Sequence, residues 1–188
     1  MDPTADPAAT ATNDTMAARP SSGIAIPLPI PTSIARIRRR WDLGASLGAR
    51  PHVTILYPFL PESMLTAQVR TDLAAIARNV QPFDVHFGVV RSFDGVLWIE
   101  PEPAAPFRLL TAAVVAHWPD WPPYGGIFDD VIPHLTVAES ATAVRRNVGA
   151  AIAAALPFTR RASTLEVWRQ DEARRWRPHW RLPLGVRP

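Results

Sequence analysis

The residues best suited to chemistry occur in a repeated pattern. Pro51-His52-Val53-Thr54 and Pro133-His134-Leu135-Thr136 are two copies of Pro-His-x-Thr, whereas Pro178-His179 has no threonine two positions after the histidine. Side chains two positions apart on a strand project from the same face. Each histidine is therefore expected beside its own threonine, and two such pairs in one cleft would supply a base, an acid and two hydroxyl donors.

The chemistry that this set favours is metal-independent hydrolysis of a phosphodiester. One neutral imidazole would take a proton from water while an imidazolium opposite donates a proton to the departing oxygen. Thr54 and Thr136 would donate hydrogen bonds to the non-bridging oxygens. A single histidine is more often a structural residue, and threonine is common on strands for its β-propensity. The repeat favours His52 and His134 as catalytic residues.

Two other interpretations stay open. The chain has no cysteine, which excludes thiolate nucleophiles and cysteine-ligated metals. A metallohydrolase with His52 and His134 as metal ligands is possible, although no HxH or HExxH motif accompanies them. A non-catalytic nucleotide- or RNA-binding module with the same cleft is the other alternative. We predict that the protein uses no metal and no cofactor.

Composition and charge indicate one soluble domain. The chain has 188 residues, of which 47% are apolar, and this is enough for one compact core. Its formal charge is +3 and its basic residues are all arginine, which binds phosphate well but also reflects genomic base composition. No apolar run is long enough to cross a bilayer, and the start does not resemble a secretory signal. We expect a cytoplasmic monomer with no membrane association.

Periodicity predicts interleaved strands and helices. Residues 1–22 are small and polar and predict a disordered tail, so the domain is 23–188. Prolines within the first strand, 24–30, predict a position at a sheet edge. The other predicted elements are a helix over 34–41, a strand over 52–59, a helix over 62–80, a hairpin of 83–91 and 96–100 turning at Asp94-Gly95, a helix over 107–118, a strand over 132–138, a helix over 142–156, and a closing hairpin of 164–170 and 176–184. This order indicates an α+β or α/β domain.

Aromatic residues near the motifs are candidates for contacts with a base. Tyr57, Trp121 and Tyr124 lie at a predicted strand end or in the loop before the second motif, where they could stack on a nucleobase or simply pack in the core. We interpret Trp98 as a core residue. The arginine run between positions 36 and 40 either contacts a nucleic-acid backbone or forms a solvated face.

On these two motifs, the sequence resembles the two-histidine (2H) phosphoesterase superfamily, in particular the bacterial 2'-5' RNA ligase or LigT-like proteins. Both His-x-Thr copies match the family hallmark. The resemblance implies an α+β, bilobal fold in which two pseudo-symmetric strand-helix lobes surround a central cleft that holds both histidines. It implies, as partner, an RNA end or small nucleotide with a 2',3'-cyclic phosphate or a 2'-5' linkage. Hydrolysis is expected rather than ligation.

Overall fold

Helices and strands alternate along the chain, as a computed structural model shows for residues 22–93, 95–128, 130–139 and 142–185. The strands are β1 Ser22–Pro27, β2 His52–Leu56, β3 Phe83–Phe93, β4 Val96–Glu102, β5 Leu135–Glu139, β6 Phe158–Ala162, β7 Thr164–Gln170 and β8 Trp176–Pro183. The helices are α1 Thr32–Trp41, α2 Leu43–Ser46, α3 Ala67–Arg78, α4 Ala105–His117 and α5 Thr142–Ala153, with single 3₁₀ turns at Glu62–Met64 and Pro123–Gly126.

The strands form two four-stranded antiparallel sheets. Their orders are β2-β1-β7-β8 and β5-β4-β3-β6. Because the two sheets are antiparallel and the helices pack on their faces, the α+β class is confirmed. The two motif-bearing strands, β2 and β5, are each at the edge of a sheet, and they lie against each other. The repeat in the sequence therefore marks the line along which the two sheets meet.

A pseudo-two-fold relation connects the two halves. The unit β1-α1-β2 has the same order as β4-α4-β5, with the outer strands paired antiparallel in each. Each helix packs on the motif strand of the other unit: α1 packs on β5, and α4 packs on β2. Each motif strand is therefore supported by the helix of the opposite lobe, which explains why both lobes share one continuous core. The bilobal, pseudo-symmetric fold is confirmed.

Buried and partly buried side chains alternate along β2 and β5, as the sequence predicts for strands. Val53 and Ile55 are 0% and 1% exposed, and Leu135 and Val137 are 0% exposed. The histidine and threonine of each motif are only partly buried. Because successive side chains on a strand point to opposite faces, burial of the aliphatic residues fixes the direction in which the polar pairs project.

Several element boundaries differ from the sequence predictions. β1 lies inside its sheet, between β2 and β7, so the predicted edge position is wrong. The prolines do not interrupt the ladder because Pro27 is the last residue of the strand. The helix predicted from residue 62 begins at Ala67, where the Thr66 hydroxyl accepts a hydrogen bond from the Val69 amide. The strand β6 was not predicted.

The N-terminal tail, the turn of the first hairpin and the start of the second motif strand were also predicted. The predicted tail lies outside the described residues except for Ser22, which begins β1 and donates a 2.6 Å hydrogen bond to the Leu60 carbonyl. The hairpin β3-β4 is present; Asp94 of its predicted turn lies outside the described residues. His134 immediately precedes β5, which begins at Leu135, whereas His52 is the first residue of β2.

Candidate active site

A cleft of about 240 Å³ opens where β2 meets β5. The predicted residues that line it are His52, Thr54, Tyr57, Tyr124 and Thr136. The other lining residues are Gly23, Ile24, Ala25, Arg38, Asp42, Gly44, Ala49, Leu56, Glu139, Trp168 and Trp176. The structure therefore brings both motif threonines into one cavity, although they are far apart in the sequence. His134 and Trp121 are not among the lining residues.

The two histidine rings are oriented by the same local contact. Nδ1 of His52 lies 2.6 Å from the carbonyl oxygen of Arg50, and Nδ1 of His134 lies 2.7 Å from the carbonyl oxygen of Ile132. A carbonyl oxygen only accepts, so Nδ1 carries the proton in each neutral ring. Nε2 of both histidines then presents a lone pair, which is the form required of a general base.

An indole ring packs on His52. The centroids of His52 and Trp168 are 4.8 Å apart in an edge-to-face arrangement, and the Arg50 guanidinium lies 5.4 Å from the centre of the Trp168 ring. Trp168 comes from β7, which reaches the site by pairing with β1. Sequence reasoning missed Trp168, because no local pattern indicates which residue of the closing hairpin will contact the first motif.

A buried carboxylate, that of Glu166, accepts hydrogen bonds from Arg50 and Trp168, the two residues that contact His52. Glu166 is 3% exposed. It accepts a 2.6 Å hydrogen bond from Nε1 of Trp168 and a salt-bridging hydrogen bond from Arg50. Since the Arg50 carbonyl accepts from His52 and Trp168 packs on the ring, Glu166 acts as a positioning residue for that imidazole. Its third partner is Arg181, at 3.2 Å.

His134 lies among aromatic rings on the other lobe. Its ring centroid is 5.2 Å from that of Phe93 and 5.9 Å from that of Trp98, both edge-to-face. Trp98 is buried, as its interpretation as a core residue requires, and it also supports the second histidine. His134 is close enough for its charge to lower the pKa of His52. The two motifs are therefore electrostatically connected.

Both imidazoles are easier to keep neutral than a solvated histidine. The pKa of His52 is lowered to about 4, mostly by burial and in part by the charges of Arg38, His134 and Arg50, while its hydrogen bond to the Arg50 carbonyl opposes the shift. Burial also lowers the pKa of His134, against the opposing hydrogen bond to Ile132. Cationic neighbours act on His52 in addition to desolvation, so the two histidines differ in electrostatic environment.

A tyrosine is fixed over the first motif threonine. Tyr124 has a left-handed backbone conformation (φ 52°), and its amide donates a 2.6 Å hydrogen bond to the Tyr57 carbonyl. The Tyr124 hydroxyl shares a hydrogen bond with Thr54, while burial raises the pKa of the tyrosine. Tyr57 packs edge-to-face on Trp176 at 5.7 Å. Two aromatic side chains thus flank the Thr54 side of the cleft.

A buried ion pair forms part of the cleft wall. Arg38 and Asp42, on and just after α1, have side chains only 5% and 4% exposed, with Nε and Oδ2 2.8 Å apart. Arg38 also donates to the Thr136 carbonyl at 3.2 Å and to the Ala49 carbonyl at 2.7 Å. It therefore links α1 of one lobe to the motif strand of the other. Burial and the charge of Asp42 raise the pKa of Glu139.

Metal binding and membrane insertion would each require a recognisable structural feature. Among the described residues, no three histidine, aspartate or glutamate side chains cluster as they would to hold a metal ion. No helix in the described ranges is long and apolar enough to span a membrane.

Comparison with solved structures identifies the same fold. A phosphoesterase crystal structure aligns with 88% of this chain and 99% of its own, at 18% identity and a TM-score of 0.52. LigT of Escherichia coli in complex with 3'-AMP aligns with 89% of this chain and 100% of its own, at 18% identity and a TM-score of 0.50. The TT0787 protein of Thermus thermophilus gives 16% identity and a TM-score of 0.51, over 89% and 100% of the two chains.

Sequence comparison gives the family. A protein of Bacillus cereus strain G9842 named as a phosphoesterase is 27% identical over 111 residues, which are 55% of this chain. The match spans 59% of the length of that relative. A family model described as the 2'-5' RNA ligase superfamily matches residues 26–174 and includes both Pro-His-x-Thr motifs. With its repeated motifs at the junction of two pseudo-symmetric sheets, the chain belongs to the 2'-5' RNA ligase superfamily and has the two-histidine phosphoesterase fold.

Proposed function

We propose that the protein is a metal-independent phosphodiesterase that opens 2',3'-cyclic phosphates or cleaves 2'-5' phosphodiesters. The observation that supports this most directly is the shared orientation of His52 and His134. In each ring, Nδ1–H donates a hydrogen bond to a backbone carbonyl, which leaves Nε2 for proton transfer. Acid-base chemistry at one phosphate requires two such groups near each other.

The roles follow from the charges around each ring. Arg38, Arg50 and His134 all oppose protonation of His52, which keeps His52 in the neutral form that a general base needs, so we assign His52 as the base and His134 as the acid. His52 takes a proton from water as its oxygen bonds to phosphorus. The bond from phosphorus to one ester oxygen breaks, and His134 gives that oxygen its proton. Water is consumed, and a phosphomonoester with a free hydroxyl remains.

The threonines would stabilise the charge that develops on phosphorus. Thr54 and Thr136 both line the cleft, and a hydroxyl can donate to a non-bridging oxygen as bonds rearrange. Tyr124 shares a hydrogen bond with Thr54 and would orient that hydroxyl. Thr136 is held from behind because its carbonyl accepts from Arg38. The two phosphate contacts would thus be placed by different lobes.

The substrate would be an RNA end or a small nucleotide. LigT of Escherichia coli, which has the same fold, has been crystallised with 3'-AMP and with NADP+. Tyr57 and Tyr124 line the cleft and offer aromatic surfaces on which a base could stack. Trp121 remains a predicted substrate contact, although it is not among the cleft residues. The Glu139 carboxyl group would offer an acceptor for an amino group of a base.

The test is turnover of matched substrates by purified protein, with and without EDTA. We expect release of a phosphomonoester from nucleoside 2',3'-cyclic phosphates or from a 2'-5' dinucleotide, at rates that EDTA does not change, because the proposed catalysts are imidazoles and hydroxyls. Product is measured by chromatography and ³¹P NMR. Loss of activity on chelation, with recovery by zinc or manganese, would support the metallohydrolase. Tight nucleotide binding without turnover would support the non-catalytic module.

The pH profile should have an acidic optimum. A neutral His52 and a protonated His134 coexist between the two pKa values, which are about 4 for His52 and below the ordinary 6.5 for His134. We therefore expect a bell-shaped kcat/KM with its maximum between about pH 4 and pH 6.5, its limbs belonging to the coupled pair. The anionic phosphate favours imidazolium, so the limbs of kcat should lie at higher pH.

A stability control accompanies that profile. Because both histidine pKa values are lowered by folding, the unfolded chain binds more protons, and stability should decline as pH falls below about 6.5. Melting temperatures across the range show which points retain the folded protein. A kcat/KM maximum above about pH 7.5 would contradict the proposed protonation states.

A further inference from the structure

A second pocket, here called the arginine pocket, adjoins the catalytic cleft. It has a volume of about 220 Å³. Its lining residues are Ala35, Arg38, Arg39, Ala45, Gly48, Ala49, Arg50 and Pro51. Arg38 and Ala49 line both this pocket and the cleft. A ligand bound between the histidines would therefore have a neighbouring site on the α1 side, directly before the first motif.

The charge of the arginine pocket is incompletely balanced. None of the described residues that line it is acidic. Arg38 is paired with Asp42 behind the wall, but Glu166 divides its single charge between Arg50 and Arg181. Across the described part of the chain, Arg39 forms no ion pair. The pocket therefore holds a surplus of positive charge that an anion would neutralise.

The shape of the pocket also suits an anion of small size. Apart from the arginines and one proline, its lining residues are alanine and glycine, which leave the guanidinium groups of Arg39 and Arg50 accessible. Arg39 is exposed and can turn toward a bound group, and the Arg50 side chain is 42% exposed while one of its nitrogens donates to Glu166. Guanidinium groups bind phosphate oxygens through paired, charge-assisted hydrogen bonds. The matching ligand is a phosphate group.

We propose that the arginine pocket binds a second phosphate of the substrate, next to the ester that reacts between His52 and His134. This rests on the proposed function for the identity of the reacting ester. The site would select substrates that carry a flanking phosphate. Such a phosphate has two sources, a terminal 5'-phosphate on a nucleotide or the next diester of an RNA strand.

Three substrates with the same reacting ester separate these sources. They are a nucleoside 2',3'-cyclic phosphate, its 5'-phosphorylated form, and a dinucleotide that ends in the cyclic phosphate. We expect the native protein to prefer one or both of the phosphate-bearing substrates in kcat/KM by about tenfold, a magnitude typical of a charge-assisted contact. Preference for the dinucleotide alone would assign the pocket to the RNA diester.

Arg39→Gln tests the pocket, and Arg36→Gln is its control. Both residues are exposed on α1, and both substitutions remove one charge, but Arg36 does not line the pocket. Arg39→Gln should remove most of the preference and reduce the salt dependence of dinucleotide turnover by about one unit of slope. Arg36→Gln should retain both. Equal effects of the two variants would overturn the proposal and indicate a diffuse surface field.

A binding measurement separates this inference from the proposed function. Fluorescence anisotropy with a labelled dinucleotide ending in a 3'-phosphate needs no turnover. If no ester is hydrolysed yet Arg39→Gln weakens this binding about tenfold and Arg36→Gln does not, the arginine pocket stands and the proposed activity fails. If all three proteins bind equally both this dinucleotide and a labelled nucleoside 3',5'-bisphosphate, the pocket proposal is wrong whatever the activity.

Discussion

Replacing His52 or His134 with alanine is expected to lower kcat/KM by about 10²- to 10⁴-fold, because each residue would transfer a proton in the same displacement. The loss of kcat/KM in the double variant should be smaller than the product of the two single losses. Once one histidine is removed, the other contributes little to the same transition state. Steady-state rates on the best substrate of the screen measure all three variants.

The chain supplies a matched control for this experiment. His179 also follows a proline but lacks the threonine two positions later, and it lies on β8, away from the cleft lining. His179→Ala should therefore retain activity. Each active-site variant should also lose one limb of the pH profile. If the loss of kcat/KM in the double variant equals the product of the two single losses, and the bell-shaped pH profile does not change, His52 and His134 act in separate places.

The second large effect concerns stability. Arg38→Ala is expected to reduce the free energy of unfolding by about 3 to 5 kcal/mol, because it leaves the Asp42 carboxylate buried without its partner. The side chains of this pair are only 5% and 4% exposed, and Arg38 also connects α1 to the second motif strand. Urea denaturation measures the change.

Two control variants are needed to interpret the effect of Arg38→Ala. Arg36→Ala removes an exposed arginine from the same helix and should change stability by less than about 0.5 kcal/mol. The double variant Arg38→Met with Asp42→Leu removes both charges, and apolar replacement of a buried pair often restores stability. Losses of equal size for Arg38→Ala and Arg36→Ala would show that the buried pair contributes nothing to folding.

The sequence carries much of the site because strand periodicity is a local property. His52 and Thr54 had to share a face once Val53 and Ile55 were buried, and the same holds for the second motif. Their meeting in one cleft was a hypothesis that depended on a two-fold relation. The edge positions of β2 and β5 could not be predicted, since strand order depends on pairings between distant segments. The prolines near β1 even favoured the wrong position.

What the sequence by itself determined is the chemical set: two histidines, two threonines and the phase of the strands that carry them. Only the tertiary structure decided what surrounds that set. Trp168 reaches His52, and Glu166 reaches Arg50, because β7 pairs with β1, and Arg38 reaches Thr136 because α1 packs on the opposite lobe. These contacts join residues far apart in the chain, and they are chosen by burial of the common core rather than by local backbone preference. Local spacing therefore predicts the candidate reacting groups, while long-range packing sets their pKa values and their partners.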